Sequence, residues 1–273
     1  MAGTLYVVAT PLGNLEDMSF RAVRILKEAA LIAAEDTRQT AKLLRHFGIE
    51  TPAVSCHEHN EQHRAARVLE VLASGGSVAV VTDAGTPLIS DPGFRLVRAA
   101  VDAGFPVSPV PGPCSPVAAL SAAGLPTGQF YFAGFLPPKS GPRRTLLESL
   151  RSLDCTIAFL EAPHRIVESL ADLEATFGAE RPVVVARELT KIHEEFTRGT
   201  AAEVRADFER RPSVKGEITL LTGPPVGPME PLGDAKAEVA KLIAEGLPRM
   251  DAIKAVAKRH GLPKREVYKL AGE

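Results

Sequence analysis

Short apolar runs alternate with amphipathic stretches along most of the chain. The clearest run, residues 77–82, is apolar almost throughout, as is typical of a strand that is covered on both faces. The stretches between such runs carry apolar residues at helical spacing. This alternation predicts an α/β fold with mainly parallel strands. The other predicted strands lie at 5–9, 107–110, 130–135, 156–160, 183–186 and 218–222.

Polar residues mark the points where several helices are expected to begin. Asp17 or Ser19 is a candidate N-cap for the first helix, and Thr37 is one for the second. Asn60 is expected to begin a third helix, and a fourth is predicted over residues 165–177. These helices lie between the predicted strands.

Four predicted strands run directly into segments rich in glycine and proline. The segments lie at 10–13, 83–87, 111–115 and 136–139. Ordinary turn chemistry explains any one of them. Ligands of open α/β sheets, however, bind outside the carboxyl ends of the strands, and glycine lets the backbone approach a ligand closely. Four such loops at one end of the strands therefore predict a preformed pocket.

Two common nucleotide-binding motifs are absent from the sequence. No Gly-x-Gly-x-x-Gly follows the first strand, and there is no Gly-x-x-x-x-Gly-Lys-Ser/Thr loop. Dinucleotide binding and phosphoryl transfer on such loops are therefore not expected. Asp83 is the only acid directly at the end of the clearest strand. It either accepts a hydrogen bond from a ligand or caps the turn that follows it.

The overall composition indicates a globular protein with more than one domain. The chain has 273 residues, of which 45% are hydrophobic and 24% charged, and its net charge is -1. Breaks near residue 125 and at the proline-rich segment 224–228 predict domains at 1–125 and 126–224, with an extension at 233–273. No apolar stretch approaches the roughly 20 residues of a membrane helix. Three scattered cysteines fit a reducing compartment, so we expect a cytoplasmic protein.

The C-terminal extension is basic although the chain as a whole is nearly neutral. From Arg249 onward, seven Lys and Arg residues stand against three acids. The apolar positions predict a helix, a turn at 261–263 and a second helix, an arrangement similar to a helix-turn-helix unit. Such a unit can bind a phosphate backbone. The alternative is a small helical cap with lysines on its solvated face.

Eight short motifs resemble those of the tetrapyrrole methylase superfamily, and in particular its branch that methylates ribosomal RNA. They occur in the family's order from about residue 5 to residue 223. Tetrapyrrole-methylating members usually carry Gly-x-Gly-Pro-Gly-Asp after the first strand. This chain has Ala-Thr-Pro-Leu-Gly-Asn at 9–14, which is similar to the RNA branch. The motifs lie at 9–17, 34–38, 57–61, 82–93, 111–115, 159–165, 187–191 and 215–217.

The resemblance implies two α/β domains of the tetrapyrrole-methylase type, with a small helical C-terminal extension. It implies that S-adenosylmethionine is the cofactor, bound in the cleft between the domains of a homodimer. It also implies methyl transfer to the ribose 2′-oxygen of a cytidine in the decoding region of 16S rRNA. The expected partner is that RNA or the small ribosomal subunit.

Motif positions assign candidate site residues. The proton acceptor that such a transfer needs is predicted to be Glu58 or His57. Residues 35–38 fit an RNA contact and equally fit a helix N-terminus, where acids are favourable. The cofactor is expected to contact Pro11, Leu12, Asp83, Ala84, Thr86, Pro87, Cys114 and Ser115, and also Leu160, Glu161, Ala162 and Gly216. The RNA is expected to contact Glu35, Asp36, Arg38 and His59. The basic positions near loops of the second domain are further candidate RNA contacts or, alternatively, plain surface charge: Lys139, Arg143, Arg144 and Arg165.

Three other interpretations fit parts of the sequence. A small-molecule methylase of the same superfamily is the nearest alternative, and the first-strand loop and the basic extension argue against it. A non-catalytic RNA-binding assembly factor is another, and the intact pocket motifs argue against that. His57, His59 and His63 have the spacing of shared strand and helix faces. No cysteine or acid at a fixed spacing completes a ligand set, so we expect no metal.

Overall fold

A computed structural model describes residues 2–57, 61–226, 235–259 and 264–271 of the chain. Its first half is a parallel sheet with helices on both faces. Successive residues of the central strand alternate between the faces, so Val78 and Val80 pack on one side and Ala79 and Val81 on the other. The strands are β1 (Leu5–Val8), β2 (Leu31–Ala34), β3 (Ala53–Ser55), β4 (Val78–Val81) and β5 (Val107–Val110), in the order β3-β2-β4-β1-β5. The helices are α1 (Phe20–Glu28), α2 (Thr37–His46), α3 (Glu61–Ala73), α4 (Phe94–Asp102) and α5 (Ser115–Ala123).

Side-chain caps fix where the first two helices begin. Ser19 Oγ accepts a hydrogen bond from Ala22 N at 3.1 Å, so Ser19 is the N-cap of α1. The cap of α2 is Asp36, whose carboxylate accepts from Arg38 N at 2.8 Å. The prediction of Thr37 was therefore one residue late, since Thr37 is already helical.

The second half is a mixed sheet, and the expectation of mainly parallel strands is wrong for it. Only β6 and β7 run parallel, and the other three pairs are antiparallel. A short loop suffices to join antiparallel neighbours. The loop over 188–194 does this with Glu188 and Thr190 in the left-handed region, at φ of 54° and 66°. The strands are β6 (Phe130–Phe135), β7 (Thr156–Glu161), β8 (Pro182–Arg187), β9 (Glu195–Thr200) and β10 (Ile218–Thr222), in the order β6-β7-β10-β8-β9, and the helices are α6 (Ser140–Leu150), α7 (Ile166–Phe177) and α8 (Ala201–Glu209).

Three strands, β2, β3 and β9, were not predicted from the sequence pattern. The Leu-Ile-Ala-Ala segment of β2 is short and continues the apolar spacing of α1, and β3 has only three residues. β9 is an edge strand of partly buried residues, including Glu195 and Arg198, so it shows no apolar alternation.

Helix α5 belongs to the first half in sequence but packs on the second sheet. Ala119 and Ala123 are buried against Ala158 of β7 and Leu221 of β10. Leu12, from the loop after β1, is part of the same cluster. The two halves therefore share a hydrophobic core next to the carboxyl ends of the first sheet.

Three helices make up the described part of the C-terminal extension: α9 (Ala235–Ala244), α10 (Arg249–Arg259) and α11 (Lys264–Leu270). Their core includes Val239, Ile253 and Val267. The predicted turn at 261–263 lies outside the described residues. Within the described ranges, no helix is both long and apolar enough to cross a membrane.

Candidate functional site

Three of the glycine- and proline-rich loops meet because their strands are neighbours. β1 lies between β4 and β5, so the three strands end at the same edge of the sheet. Thr10 N donates to Gly85 O at 2.8 Å, and Gly85 N donates to Thr10 O at 3.0 Å. Thr86 Oγ1 donates to Pro113 O at 2.8 Å. These bonds join the loops into one continuous surface.

A cavity of about 340 Å³ opens above this surface, between the two halves. Its second wall comes from the end of β7 and the start of β10, two neighbouring antiparallel strands. Pro11 lines an adjoining cavity instead, and Pro87 does not line this one. The other ten residues predicted to contact the cofactor all line it: Leu12, Asp83, Ala84, Thr86, Cys114, Ser115, Leu160, Glu161, Ala162 and Gly216.

A close approach explains the glycine at position 216. Gly216 has a φ of 93°, in the left-handed region. A Cβ there would lie 2.4 Å from the carboxyl group of Glu188. Glu188 Oε1 also accepts from Glu217 N at 3.0 Å, so the carboxylate is fixed against this turn. Only glycine fits, and the turn brings Glu217 to the cavity wall.

The Glu161 carboxylate forms an ion pair and hydrogen bonds with neighbouring residues of the second half. Its side chain is fully buried and pairs with Arg165, whose Nη2 lies 2.6 Å from Glu161 Oε1. Ser169 Oγ donates to the other oxygen, and Ala162 N donates to Oε1 at 2.7 Å. Glu161 therefore holds the end of β7 in place, and it is not a free charge for a ligand.

One side of the cavity is acidic, with Glu35, Asp83, Asp91 and Glu217 among its lining residues. Thr82 Oγ1 donates to Glu35 Oε2 at 2.5 Å. Burial raises the pKa of Asp83, and the nearby charge of Glu35 raises it further. Burial likewise raises the pKa of Asp91 to about 6, and the nearby charges of Glu35 and Asp83 add to this increase. This wall favours a cationic ligand.

Asp91→Asn is expected to stabilise the protein at pH 7.5 and to have no effect near pH 4. A pKa raised to about 6 in the folded state means that folding opposes ionisation of Asp91. That penalty is absent below about pH 4, the pKa of an aspartate in the unfolded protein, and complete above pH 6. We expect the free energy of unfolding to rise by about 1 kcal/mol, a value reduced for the partial exposure of Asp91 to solvent. Urea unfolding at both pH values measures it, and an equal gain at both would contradict the assignment.

The predicted RNA-contact residues are not equivalent in the structure. Glu35 lines the cavity, and Asp36 caps α2 and binds the exposed Arg38, whose guanidinium lowers the pKa of Asp36 to about 2. The helix N-terminus interpretation therefore fits this segment. Lys139 and Arg144 are exposed.

Arg143 and Arg165 are engaged in the interior of the second half. Only 1% of the Arg143 side chain is exposed, and its Nη2 lies 2.7 Å from Asp172 Oδ2. Arg165 is bound to Glu161. The prediction that Arg143 contacts RNA is wrong, because a buried and paired guanidinium cannot reach a phosphate. Arg165 directs its Nε and Nη2 to Glu161 Oε1, so these two groups hold the end of β7, and a contact of Arg165 with RNA stays a prediction.

One of the two predicted proton acceptors, Glu58, lies outside the described residues, as does the predicted RNA contact His59. His57 follows β3 at the edge of the sheet, and its carbonyl accepts from Glu61 N at 2.9 Å. It does not line the cavity. Among the described residues, no group of three His, Cys, Asp or Glu side chains is arranged to hold a metal.

A second cavity of about 390 Å³ adjoins the first and was not predicted from the sequence. The two share Thr82, Asp83, Ala84 and Glu217 as lining residues. Gln39 and Lys42 of α2 line only the second. The motif at 215–217 contains Glu217, so the signal was present, but residues 39 and 42 belong to no motif.

Comparison with known proteins identifies the relatives of this chain. The family model for Tetrapyrrole (Corrin/Porphyrin) Methylases matches residues 4–205. The chain is 48% identical to ribosomal RNA small subunit methyltransferase I of Pseudomonas aeruginosa, over 99% of this chain and 97% of that protein. The chain belongs to this methyltransferase family. The enzyme of the same name from Halalkalibacterium halodurans is 47% identical, over 98% of this chain and 94% of that protein.

The fold is that of the tetrapyrrole methylases. Uroporphyrin-III C-methyltransferase from Thermus thermophilus, complexed with S-adenyl homocysteine, aligns with a TM-score of 0.55 at 20% identity. The alignment covers 81% of this chain and 97% of that one. The family resemblance and the α/β fold predicted from the sequence are both confirmed.

Proposed function

We propose that the chain transfers a methyl group from S-adenosylmethionine to the ribose 2′-oxygen of a cytidine in the decoding region of 16S rRNA. The observation that carries the proposal is the cavity between the two halves, lined by the loops after β1, β4 and β5. It occurs in a chain of the methyltransferase family, whose curated relatives are named for the small-subunit RNA.

The residues of the cavity suit this cofactor. Its volume of about 340 Å³ lies in the range of small-molecule sites. S-adenosylmethionine carries a sulfonium and an ammonium against one carboxylate, so its net positive charge matches the acidic wall. When bound, it supplies an electrophilic methyl group. Leu12, Leu160 and Ala162 offer apolar contacts for the rest of the molecule.

Exposed arginine and lysine side chains support RNA as the substrate. Arg38, Lys139 and Arg144 are exposed, and Arg38 adjoins the acidic wall through Asp36. The described part of the C-terminal extension adds further exposed bases, whose phosphate contacts would weaken with salt. They are Arg249, Lys254, Lys264, Arg265 and Lys269.

We also propose that the chain forms a homodimer in the cytoplasm. β6 is an edge strand, and it exposes Phe130, Tyr131 and Phe135 by 44%, 46% and 56%. Exposed aromatic side chains that are close together are typical of protein interfaces. A cytoplasmic location follows from a ribosomal substrate.

Transfer of labelled methyl groups to ribosomes tests the proposed reaction. Small subunits from a strain that lacks the gene are expected to take up label, whereas subunits from the parent strain, already modified, are not. Resistance of the labelled nucleotide to alkaline cleavage identifies a 2′-O-methyl group. Label on a base or on a ribosomal protein would reject the proposed acceptor, and absence of label would reject the RNA substrate.

A further inference from the structure

The second cavity lies beside the proposed cofactor site and is separated from it by a few shared residues. Its opposite wall comes from Gln39 and Lys42 of α2. The shared wall contains Asp83 and Glu217, the acids that both cavities contact. A molecule in the second cavity therefore lies next to a molecule in the first, with two carboxylates at the junction.

Lys42 supplies a cation on the side away from the junction. Its Nζ donates to Gln39 Oε1 at 2.7 Å, a neutral partner on the same helix. Within the described part of the chain, Lys42 has no ion pair shorter than 4.0 Å, and its side chain is exposed at the rim. An exposed lysine without an ion pair can bind a phosphate without first breaking a salt bridge.

Glu217 is held at the junction by Lys191, a residue of the same half. Lys191 Nζ lies 3.0 Å from Glu217 Oε2 and 2.8 Å from Glu188 Oε1. The methylene groups of Lys191 lie against Gly13, where a Cβ would come within 2.5 Å of them. The Glu217 side chain is nonetheless 71% exposed, and it lines both cavities.

The cavity thus has a cation on one side and two acids at its junction with the first cavity. A nucleotide within an RNA strand has the complementary arrangement, with a phosphate at one end and a ribose hydroxyl that can donate a hydrogen bond at the other. A tetrapyrrole, which carries carboxylates around its rim, would meet the acidic wall with like charges.

We propose that the second cavity is the acceptor site for one nucleotide of the RNA, with Lys42 on a phosphate and Glu217 accepting the proton of the reacting hydroxyl. The inference rests on the proposed function and extends it by naming the subsite. The ribose oxygen forms the new bond to the methyl carbon, and the electron pair of the broken carbon–sulfur bond stays on sulfur. The hydroxyl proton passes to the Glu217 carboxylate, and Lys191 is a positioning residue that fixes that carboxylate.

Steady-state methylation of unmodified small subunits tests both roles. Lys42→Gln is expected to raise KM for the subunits by about tenfold, the effect of one lost charged hydrogen bond, and to leave the affinity for S-adenosylmethionine unchanged. Glu217→Gln is expected to lower kcat by about 100-fold with a smaller change in KM. Arg45→Gln is the matched control, because Arg45 is an exposed base on the same helix that lines neither cavity. If Lys42→Gln behaves like Arg45→Gln and Glu217→Gln keeps its kcat, the proposal is overturned.

Nucleotide binding provides a readout that does not depend on methyl transfer. Saturation-transfer NMR with cytidine 5′-monophosphate is expected to detect binding in the presence of saturating S-adenosylhomocysteine, and to lose the signal in Lys42→Gln but not in Arg45→Gln. Displacement of the nucleotide by S-adenosylhomocysteine would place it in the first cavity and overturn the proposal. Binding that follows Lys42, in a protein that transfers no methyl group to RNA, would support the nucleotide site and contradict the proposed reaction alone.

Discussion

Arg143→Met is expected to lower the free energy of unfolding by about 3 kcal/mol. The side chain is 1% exposed, and its guanidinium lies 2.7 Å from the carboxylate of Asp172, which is itself only 14% exposed. Removal of one partner leaves the other as a poorly solvated charge, and breaking such buried pairs costs about 3–5 kcal/mol. We take the lower end because Ser140 Oγ also donates to Asp172, at 2.9 Å, and remains after the change.

Arg144→Met is the matched control for this substitution. Arg144 is the next residue on α6 and is exposed, so its replacement is expected to change stability by less than about 0.5 kcal/mol. Urea or thermal unfolding of the two variants beside the parent protein measures the difference. Similar losses in both would show that the Arg143–Asp172 pair is not the source of the effect. The double variant Arg143→Met/Asp172→Leu is expected to recover part of the stability, because no charge is then left unpaired.

The contrast between buried Arg143 and exposed Arg144 shows why the predicted RNA contact of Arg143 was wrong. Lys139, Arg143 and Arg144 are all predicted from the sequence to contact RNA, although both arginines lie in the first turns of α6. Arg143 lies four and seven residues before Leu147 and Leu150, so it belongs to the buried face of α6. The spacing that reveals this was visible in the sequence. What the sequence could not supply is the partner, since Asp172 lies on α7 and reaches Arg143 only through the packing of the two helices.

Strand direction was more predictable in the first half of the fold than in the second, for a physical reason, although β2 and β3 of the first half were missed. Strands β1 and β4 are continuous apolar runs, and the loops that follow β1, β4 and β5 are rich in glycine and proline. Both signals are local. In the second half, β9 is a polar edge strand, and β10 pairs with β7 and β8 across long separations in sequence. Strand direction there depends on tertiary pairing, which no local pattern specifies.

The same distinction applies to the site. Motif positions placed ten of the twelve predicted cofactor-contact residues around one cavity, because motifs mark loops that a ligand constrains. They marked the second cavity only in part, because Glu217 from the turn before β10 belongs to a motif and Lys42 from the middle of α2 does not. Those residues meet only because the halves share the core around α5. A site assembled between two domains is visible in the sequence only in part.

Asp83→Asn is expected to weaken the binding of S-adenosylmethionine by about 10- to 100-fold while leaving the protein at least as stable. The change removes one charge from the wall that faces a cationic ligand, and a charged hydrogen bond contributes about 1.5–3 kcal/mol. Asparagine keeps an oxygen for Asp36 N, which now donates to Asp83 Oδ1 at 3.2 Å. The loop is therefore expected to keep its shape.

Stability distinguishes a ligand-binding acid from an acid that merely caps a turn. Burial and then the charge of Glu35 raise the pKa of Asp83, so its ionised form is disfavoured in the folded protein. Neutral asparagine removes that penalty at neutral pH, and the penalty is also absent at a pH low enough to protonate Asp83. A capping role predicts the opposite, namely a loss of stability with unchanged affinity.

Calorimetric titration with S-adenosylmethionine, together with thermal unfolding at pH 7.5, measures both quantities. Asp102→Asn is the control, since Asp102 is an exposed acid on α4 that lines neither cavity. Weaker binding without loss of stability would mean that Asp83 at the end of β4 binds the ligand, although its ionised form lowers the stability of the fold. Unchanged binding in a less stable protein would assign Asp83 to the turn and leave Asp91 and Glu217 as the acids that face the cofactor.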